Sequence, residues 1–177
     1  RSGALSYFSI RVPDETILKQ FQFKRKFAKD HPFRFGGAQS GMGRKINQYG
    51  AETEQALDIL QKYLPVTCLA EVTPSDFEKY KDKLPGKVRD RAEHVVYECY
   101  RVEEAVDAMR SGNLKLLGKL LNESHASLRD KYEVTGAELD ALASAAQAHP
   151  ACLGSRMTGA GFGGCTVSLV KEEDIDL

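Results

Sequence analysis

The densest cluster of chemically suggestive residues is "GSRMTGAGFGGC", from Gly154 to Cys165, which holds five of the 15 glycines in the chain. One explanation is a turn between two strands, where glycine supplies positive φ angles. The other is close approach of bare backbone to an anion, because successive N–H groups can form a concave nest for phosphate oxygens. Thr158 and Arg156 would add polar and cationic reach, and composition alone leaves both explanations open.

The spacing of Gly159, Gly161 and Gly164 also spells G-x-G-x-x-G. A dinucleotide-binding fingerprint needs a strand before these glycines and a helix after them. Here the next residues, "CTVSLV", predict a strand, so the context excludes that fold. No G-x-x-x-x-G-K-[ST] occurs anywhere in the sequence, which excludes a P-loop as well.

His125 and Asp130 in "SHASLRD" suggest a catalytic pair at first sight. Their spacing is helical, however, and no nucleophile elbow accompanies them, so we expect a structural network at a helix end. For Arg156 two roles stay open, charge support near a phosphate or an interdomain salt bridge. Cys165 begins the predicted strand and is expected to be buried in the core.

Whole-chain properties narrow the function classes. Lys plus Arg and Asp plus Glu both number 25, so the net charge is zero and there is no electrostatic footprint for nucleic acid or an anionic membrane. No apolar run reaches the roughly 18 residues of a membrane span, and no secretory signal opens the chain. The four cysteines form no C-x-x-C pair, which argues against a disulfide framework or zinc site and favours reduced thiols in the cytoplasm.

The amino-terminal part of the chain is the hardest to interpret. "ALSYFSIRV" predicts a strand, "ETILKQFQFKRKFAK" a basic helix, and "HPFRFGGAQSGMGRK" a loop. We therefore treat residues 1–48 as an unplaced segment that could belong to the same domain, and residues 49–177 as the main domain. The chain starts without Met and ends after "KEEDIDL", so we expect it to be a piece of a larger protein.

Two helices follow, each with clear end signals. "AETEQALDILQKYL" predicts a short amphipathic helix that stops at Pro65. The next helix is predicted to begin at "TPSDFEKY", with Thr73 as N-cap and Pro74 at the first helical position. Val72 and Phe77 have the spacing of a hydrophobic staple across that start.

The strongest periodicity predicts a helix of about six turns with one apolar stripe, formed by Val88, Ala92, Val95, Cys99, Val102, Val106 and Met109. Gly112 suits a left-handed C-cap, after which the chain is predicted to return as an antiparallel helix, "LKLLGKLLNESHASLRD".

One more helix, "VTGAELDALASAAQA", is predicted before the glycine-rich stretch. Thr135 and Glu138 match a capping box, and Val134 and Leu139 match a staple. With helices in the middle and strands near both ends, the fold class is α+β, with helices packed on a mostly antiparallel sheet.

Three stretches, "LPGKVRDRAEHVVYECYRVEEAVDAMRSGN", "LLNESHASLRDKYEVTGAELDAL" and "GSRMTGAGFGGCTVSLV", resemble the C-terminal domain of galactokinases, within the GHMP family of small-molecule kinases. The resemblance runs from about Tyr49 to the C-terminus. It implies the C-terminal domain type of that family and, for the intact protein, ATP-dependent phosphorylation of galactose to galactose 1-phosphate. ATP and magnesium would be bound mainly by an N-terminal domain, which is the implied partner of this one.

The resemblance also implies roles for individual residues. The glycine-rich stretch matches the third family motif, which lies beside the active site and supports the phosphate-binding loop. Tyr49 matches a sugar-contacting tyrosine, although the arginine pair that usually follows is replaced here; the alternative is an interface tyrosine with a satisfied hydroxyl. The residues implied for support of the nucleotide are Arg156, Thr158, Gly159, Ala160, Gly161, Phe162, Gly163 and Gly164.

Several family features are absent from the sequence. It contains no stretch like PxxxGLSSSA and none like GRVNLIGEHTDY, and the catalytic Asp and Arg would lie in the missing N-terminal domain. No catalytic residue or metal ligand is therefore assigned, and we expect the chain alone to be inactive. Two alternatives stay open, namely a sugar and ATP sensor without turnover, and a related kinase acting on N-acetylgalactosamine. An apolar interdomain face containing Tyr49, Met157 and Phe162 is expected to be open, so the fragment is expected to self-associate or to cover that face with residues 1–48.

Overall fold

The computed structural model describes residues 41–162 and 165–171. The predicted strand "ALSYFSIRV", the predicted basic helix, Gly163 and Gly164 lie outside the described residues. Within these ranges the chain forms five α-helices and a two-stranded sheet: α1 Gly41–Leu60, α2 Pro74–Tyr80, α3 Gly86–Arg110, α4 Leu114–Ser127, α5 Ala137–Ala148, β1 Cys152–Thr158 and β2 Cys165–Val170. None of the described helices combines the length and apolar character that crossing a membrane demands.

Helix α1 begins ten residues earlier than the sequence predicts. It starts at Gly41 and takes in "GMGRK", which the glycines had suggested was loop. Tyr49, Ala56 and Leu60 explain the longer helix, because they lie at helical spacing and are all buried. Tertiary packing of this face outweighs the poor helix propensity of glycine. The predicted domain boundary after residue 48 falls inside α1 and stays a prediction.

The start of α2 is as predicted. The hydroxyl oxygen of Thr73 accepts a hydrogen bond of 3.0 Å from the amide of Asp76, and Pro74 occupies the first helical position. Val72 and Phe77 are both buried in a first core, which lies between α1, α2 and the first half of α3. The cap and the staple therefore set this helix start together.

Helix α3 follows its predicted stripe only in its first half. Val88 and Ala92 are buried as expected, but Val102 is 43% exposed, so the prediction of one stripe along the helix is wrong there. In the second half the buried residue is Ala108, which lies about 160° around the helix from Val88. The two halves of α3 therefore bury different faces, because only the first half packs with α1 and α2 in the first core.

Gly112 has a φ of +67°, as the C-cap prediction requires, and the chain turns there into α4. The capping box predicted for α5 is absent. Gly136, with a φ of +90°, is the N-cap and makes no side-chain cap bond, while Thr135 is buried before it. The local pattern misplaced the cap by one residue because the side chain of Thr135 is taken into the core.

The sheet is an antiparallel hairpin, with Thr158 opposite Cys165. Helices α4 and α5 pack on β1, which confirms the α+β class with helices on an antiparallel sheet. Cys165 begins β2 as predicted but is exposed rather than buried. Side chains alternate along a strand, and Cys165 shares its face with Val167, which is also exposed.

Helix α4 lies directly on the backbone of β1. A Cβ atom on Gly118 would stand 2.1 Å from the carbonyl oxygen of Leu153, and one on Gly154 would stand 2.0 Å from the carbonyl oxygen of Gly118. Side chains of α4 also satisfy the strand, since Asn122 accepts a bond of 2.8 Å from the amide of Ser155. This contact fixes the position of β1 relative to α4, and with it the direction in which β1 leads into the glycine-rich turn.

Candidate functional site

The glycine loop, residues 158–162 in the described part of the chain, has an exposed tip and a buried base. Thr158, Gly159 and Ala160 are exposed, Gly161 is buried and Phe162 is half-buried. An added Cβ on Gly159 would meet nothing within 4 Å. The tip therefore presents bare backbone to the solvent while the base is held by the rest of the domain.

The base of the loop is held in a left-handed backbone. Gly161 has a φ of +84°, and Phe162 has a φ of +60°, which is uncommon for a bulky residue. The amide of Phe162 donates a bond of 2.7 Å to the carbonyl oxygen of Val134. A Cβ on Gly161 would stand only 2.0 Å from that same oxygen, so this position requires glycine for both conformation and space.

The segment that receives the loop is itself unusual. Helix α4 ends in a π-helical turn, Leu128–Tyr132, and the next residue, Glu133, adopts φ +59° and ψ +43°. Left-handed Glu133 reverses the chain, so that the amide of Val134 bonds back to Leu128 while its carbonyl accepts from Phe162. We call residues 133–134 the receiving turn.

A buried arginine holds the receiving turn from below. Arg91 on α3 is 1% exposed. Its Nε donates to Glu52 at 2.8 Å and its Nη2 to Glu133 at 2.7 Å, while Nη1 donates to the carbonyl of Lys131. The guanidinium also lies 4.1 Å from the centre of the Tyr49 ring. Arg91 thus joins α1, α3 and the receiving turn at one point.

Both ends of the Arg91–Glu133 pair are charged at neutral pH. Burial alone would lower the pKa of Arg91, but its hydrogen bonds to Glu133 and Glu52 outweigh that effect and the pKa is raised. The pKa of Glu133 is lowered from its ordinary value, chiefly by the hydrogen bond from Lys87 and then by that from Arg91. Opposite charges at this distance favour the ionised forms of both.

Tyr49 lies between these groups. It is 5% exposed, its hydroxyl donates a bond of 3.2 Å to the carbonyl of Glu133, and its ring centre is 5.5 Å from that of Tyr132. Burial raises the pKa of its hydroxyl. Tyr49 is thus a core tyrosine with a satisfied hydroxyl, and both the sugar contact and the interface role stay predictions.

The open apolar face expected around the loop is not present in the described structure. Tyr49 and Met157 are buried with Leu128, Val134 and Leu139 in a second core, and half-buried Phe162 packs against it. The ammonium of Lys45 lies 5.6 Å from the centre of the Phe162 ring. The expectation was wrong for Tyr49 and Met157 because the receiving turn and α5 cover them; self-association itself stays a prediction.

The predicted network of His125 with Asp130 is not formed, because the two residues have different partners. His125 is buried, and its Nδ1 accepts a bond of 3.1 Å from the amide of Met157. Its Nε2 lies 3.2 Å from Asp140 on α5, whereas Asp130 pairs with Arg129 at 2.7 Å. The acceptor role of Nδ1 places the proton of the neutral ring on Nε2, facing Asp140.

Arg156 lies half-buried on β1, and its Nε donates a bond of 3.0 Å to the carbonyl of Met157.

Sequence reasoning missed Arg91 and Glu133 altogether. A usable signal was present for Arg91, because it lies three residues after Val88 and one before Ala92, on the apolar face of α3. A charged residue on a buried face indicates a paired group.

Comparison with known proteins agrees with this picture. Residues 105–176 match the family described as GHMP kinases C terminal. Galactokinase of Clostridium acetobutylicum is 53% identical over 134 residues, which are 75% of this chain and 34% of that protein. Galactokinase of Enterococcus faecalis is 46% identical over the same shares of the two chains.

A solved structure, that of Lactococcus lactis galactokinase complexed with galactose, is 42% identical with a TM-score of 0.72. The match covers 83% of this chain and 37% of that one. The chain therefore spans about a third of the length of the relatives it matches. Residues 105–176 thus match the C-terminal domain of GHMP kinases, and the chain shares its fold and 42–53% of the aligned sequence with these galactokinases.

Proposed function

We propose that the chain is the C-terminal domain of a galactokinase, which transfers the γ-phosphoryl group of ATP to the anomeric hydroxyl of galactose. The observation that carries the proposal is the identity to galactokinases, 46–53% in the two relatives compared above, over three quarters of the chain. The family match over residues 105–176 includes the glycine loop and the receiving turn on which it rests. The structure of the Lactococcus lactis enzyme with galactose supports the choice of sugar.

The loop is suited to lie against a phosphate-binding segment. Its exposed tip, residues 158–160, carries only one side chain larger than a methyl group, that of Thr158. A backbone without bulky side chains can approach phosphate oxygens closely and offer them N–H donors. We propose that residues 158–164 and Arg156 support the triphosphate of ATP. We propose that Tyr49, which is buried, contributes to the sugar site through the receiving turn to which its hydroxyl is bonded.

Phosphoryl transfer depends mainly on positioning and on electrostatic stabilisation of the transferring group. A domain in this role must hold the loop in one position relative to its core and exclude water from the buried side of the loop. The second core behind Gly161 and Phe162 provides such backing. We place the catalytic Asp, its Arg partner and the ligands of magnesium outside the described residues, among which no cluster of three or more potential metal ligands occurs.

Two purified proteins test the proposal: the 177-residue chain and the intact protein that carries it. A coupled assay follows ADP release with galactose, with N-acetylgalactosamine, and without sugar. We expect galactose-dependent ADP release from the intact protein and none from the chain alone.

Other outcomes overturn the proposal in distinct ways. Turnover only with N-acetylgalactosamine identifies a different sugar kinase. Calorimetric binding of galactose and ATP without ADP release identifies a sensor. Galactose-dependent turnover by the chain alone shows that the catalytic groups are not where we place them.

A further inference from the structure

We propose that Arg91 and Glu133 are positioning residues for the glycine loop, acting through the carbonyl group of Val134. Neither residue lies in the stretch that matches the family motif, and their described hydrogen bonds and ion pairs go to residues outside the loop. The consequence for catalysis rests on the function proposed above, whereas the consequence for loop geometry does not.

The first step of the argument is the backbone of Glu133. A side chain in the left-handed region is strained and persists only where its surroundings determine it. Two sets of contacts do so here. The carboxylate pairs with Arg91 and Lys87, and the residue's own carbonyl accepts from the hydroxyl of Tyr49.

The second step is what this conformation presents. With Glu133 left-handed, the carbonyl of Val134 accepts from Phe162 at 2.7 Å. Phe162 is left-handed as well, and an added Cβ on Gly161 would stand 2.0 Å from the same oxygen. Gly161 and Phe162 can therefore pack against the carbonyl oxygen of Val134 in only one position. A change in the backbone dihedral angles of Glu133 would move that oxygen.

The third step is the anchor. Arg91 is almost fully buried, and its three guanidinium nitrogens reach Glu52, Lys131 and Glu133. The planar fork holds these groups in a fixed relation that an ammonium could not reproduce. Arg91 thereby fixes Glu133 relative to α1 and α3, and so fixes the height of the loop over the second core.

Glu133→Gly separates positioning from stability. Glycine relieves the backbone strain at φ +59°, so the loss of the ion pairs is partly offset in the free energy of unfolding, yet no carboxylate then ties the turn to Arg91 and Lys87. Glu133→Gln keeps an oxygen for Arg91 and keeps the strain. Arg89→Met is the matched control, because Arg89 is on the same helix, its side chain is 43% exposed, and it lies 3.8 Å from Asp82.

Hydrogen exchange in the 177-residue chain is the primary measurement. We expect the amide of Phe162 to exchange at least tenfold faster in Glu133→Gly than in Glu133→Gln, although the glycine variant unfolds at the same or a higher urea concentration. The amide of Val96, in the first core, reports global opening and should follow the urea midpoints instead. Arg91→Met should increase the exchange rate of the Phe162 amide more than that of the Val96 amide. Arg89→Met should change neither exchange rate.

Equal acceleration of Phe162 and Val96 in each variant, in step with the urea midpoints, would show a merely structural role and overturn the inference. In the intact protein, Glu133→Gly should lower kcat/KM for ATP at least tenfold and leave KM for galactose within twofold, with partial rescue by Glu133→Gln. Absence of kinase activity in the unsubstituted intact protein contradicts the proposed function alone, since the exchange result is independent of turnover.

Discussion

The amide of Phe162 donates a 2.7 Å hydrogen bond to the carbonyl oxygen of Val134, and this bond joins the glycine loop to the turn before α5. Both partners are apolar residues whose side chains pack in the second core. The side chains fill space while the backbones carry the connection. A loop held in this way keeps its exposed tip free for a ligand and its base immobile.

Substitution of Gly161 should cost more than the same change at Gly159. Both glycines have nearly the same φ, +84° and +83°, so alanine brings the same backbone strain of about 1–3 kcal/mol to each. Only at Gly161 does the new Cβ meet the carbonyl of Val134, which adds about 1–3 kcal/mol of overpacking. Urea unfolding of both variants measures the difference; equal losses would mean that the loop base is not seated on Val134.

Alanine substitutions at two other glycines should change the free energy of unfolding in opposite directions. Gly118→Ala drives a Cβ into the backbone of β1, 2.1 Å from the carbonyl of Leu153, and should destabilise the chain by about 3 kcal/mol. Gly50→Ala, in α1, meets nothing within 4 Å and should stabilise it by about 0.5–1 kcal/mol through helix propensity. Thermal unfolding checks both. A tolerated Gly118→Ala would contradict the close packing of α4 on β1.

Stability should fall in acid because of His94. Its ring stacks on Tyr132 with Nδ1 2.9 Å from the hydroxyl oxygen of Ser127, and burial lowers its pKa from 6.5 to about 4. Between these values the unfolded state binds a proton that the folded state does not. The free energy of unfolding therefore decreases as pH falls from 6.5 to 4, by about 3 kcal/mol in total from this group.

The measurement is urea unfolding of the parent and of His94→Asn at pH 7, 6, 5 and 4. Asparagine does not titrate, so the variant should show a flatter dependence on pH, whatever its stability at pH 7. Some slope should remain, because burial lowers the pKa of His125 as well. Parallel curves for the two proteins would refute the assignment to His94.

His125→Phe should lower the free energy of unfolding by about 1–3 kcal/mol, because the buried amide of Met157 would lose its hydrogen-bond acceptor. His125→Asn should recover part of that loss. Asn122, one turn earlier on α4, already accepts the amide of Ser155 at 2.8 Å, so asparagine on this helix can reach the strand. Unfolding midpoints compare the two variants, and identical midpoints would mean that the hydrogen bond contributes nothing.

The local features of this protein could be derived from the sequence. The Thr73 cap, the Gly112 turn and the strand after the glycines depend on hydrogen bonds or backbone preferences among near neighbours, and all three are present. The glycine-rich stretch also led to the galactokinase resemblance, because its sequence of residues is characteristic of that motif. Such features need no knowledge of what lies across the fold.

Burial and pairing were decided only by the tertiary structure. Glu133 is 42 residues from Arg91 and 84 from Tyr49, yet the three meet at the receiving turn. Cys165 is exposed and Tyr49 buried, against expectation, because each depends on which face a distant element covers. Periodicity states that a side chain has an apolar neighbour but not which one. The sequence therefore specified the glycine loop, and the packing of α1, α3 and the receiving turn specified where that loop is held.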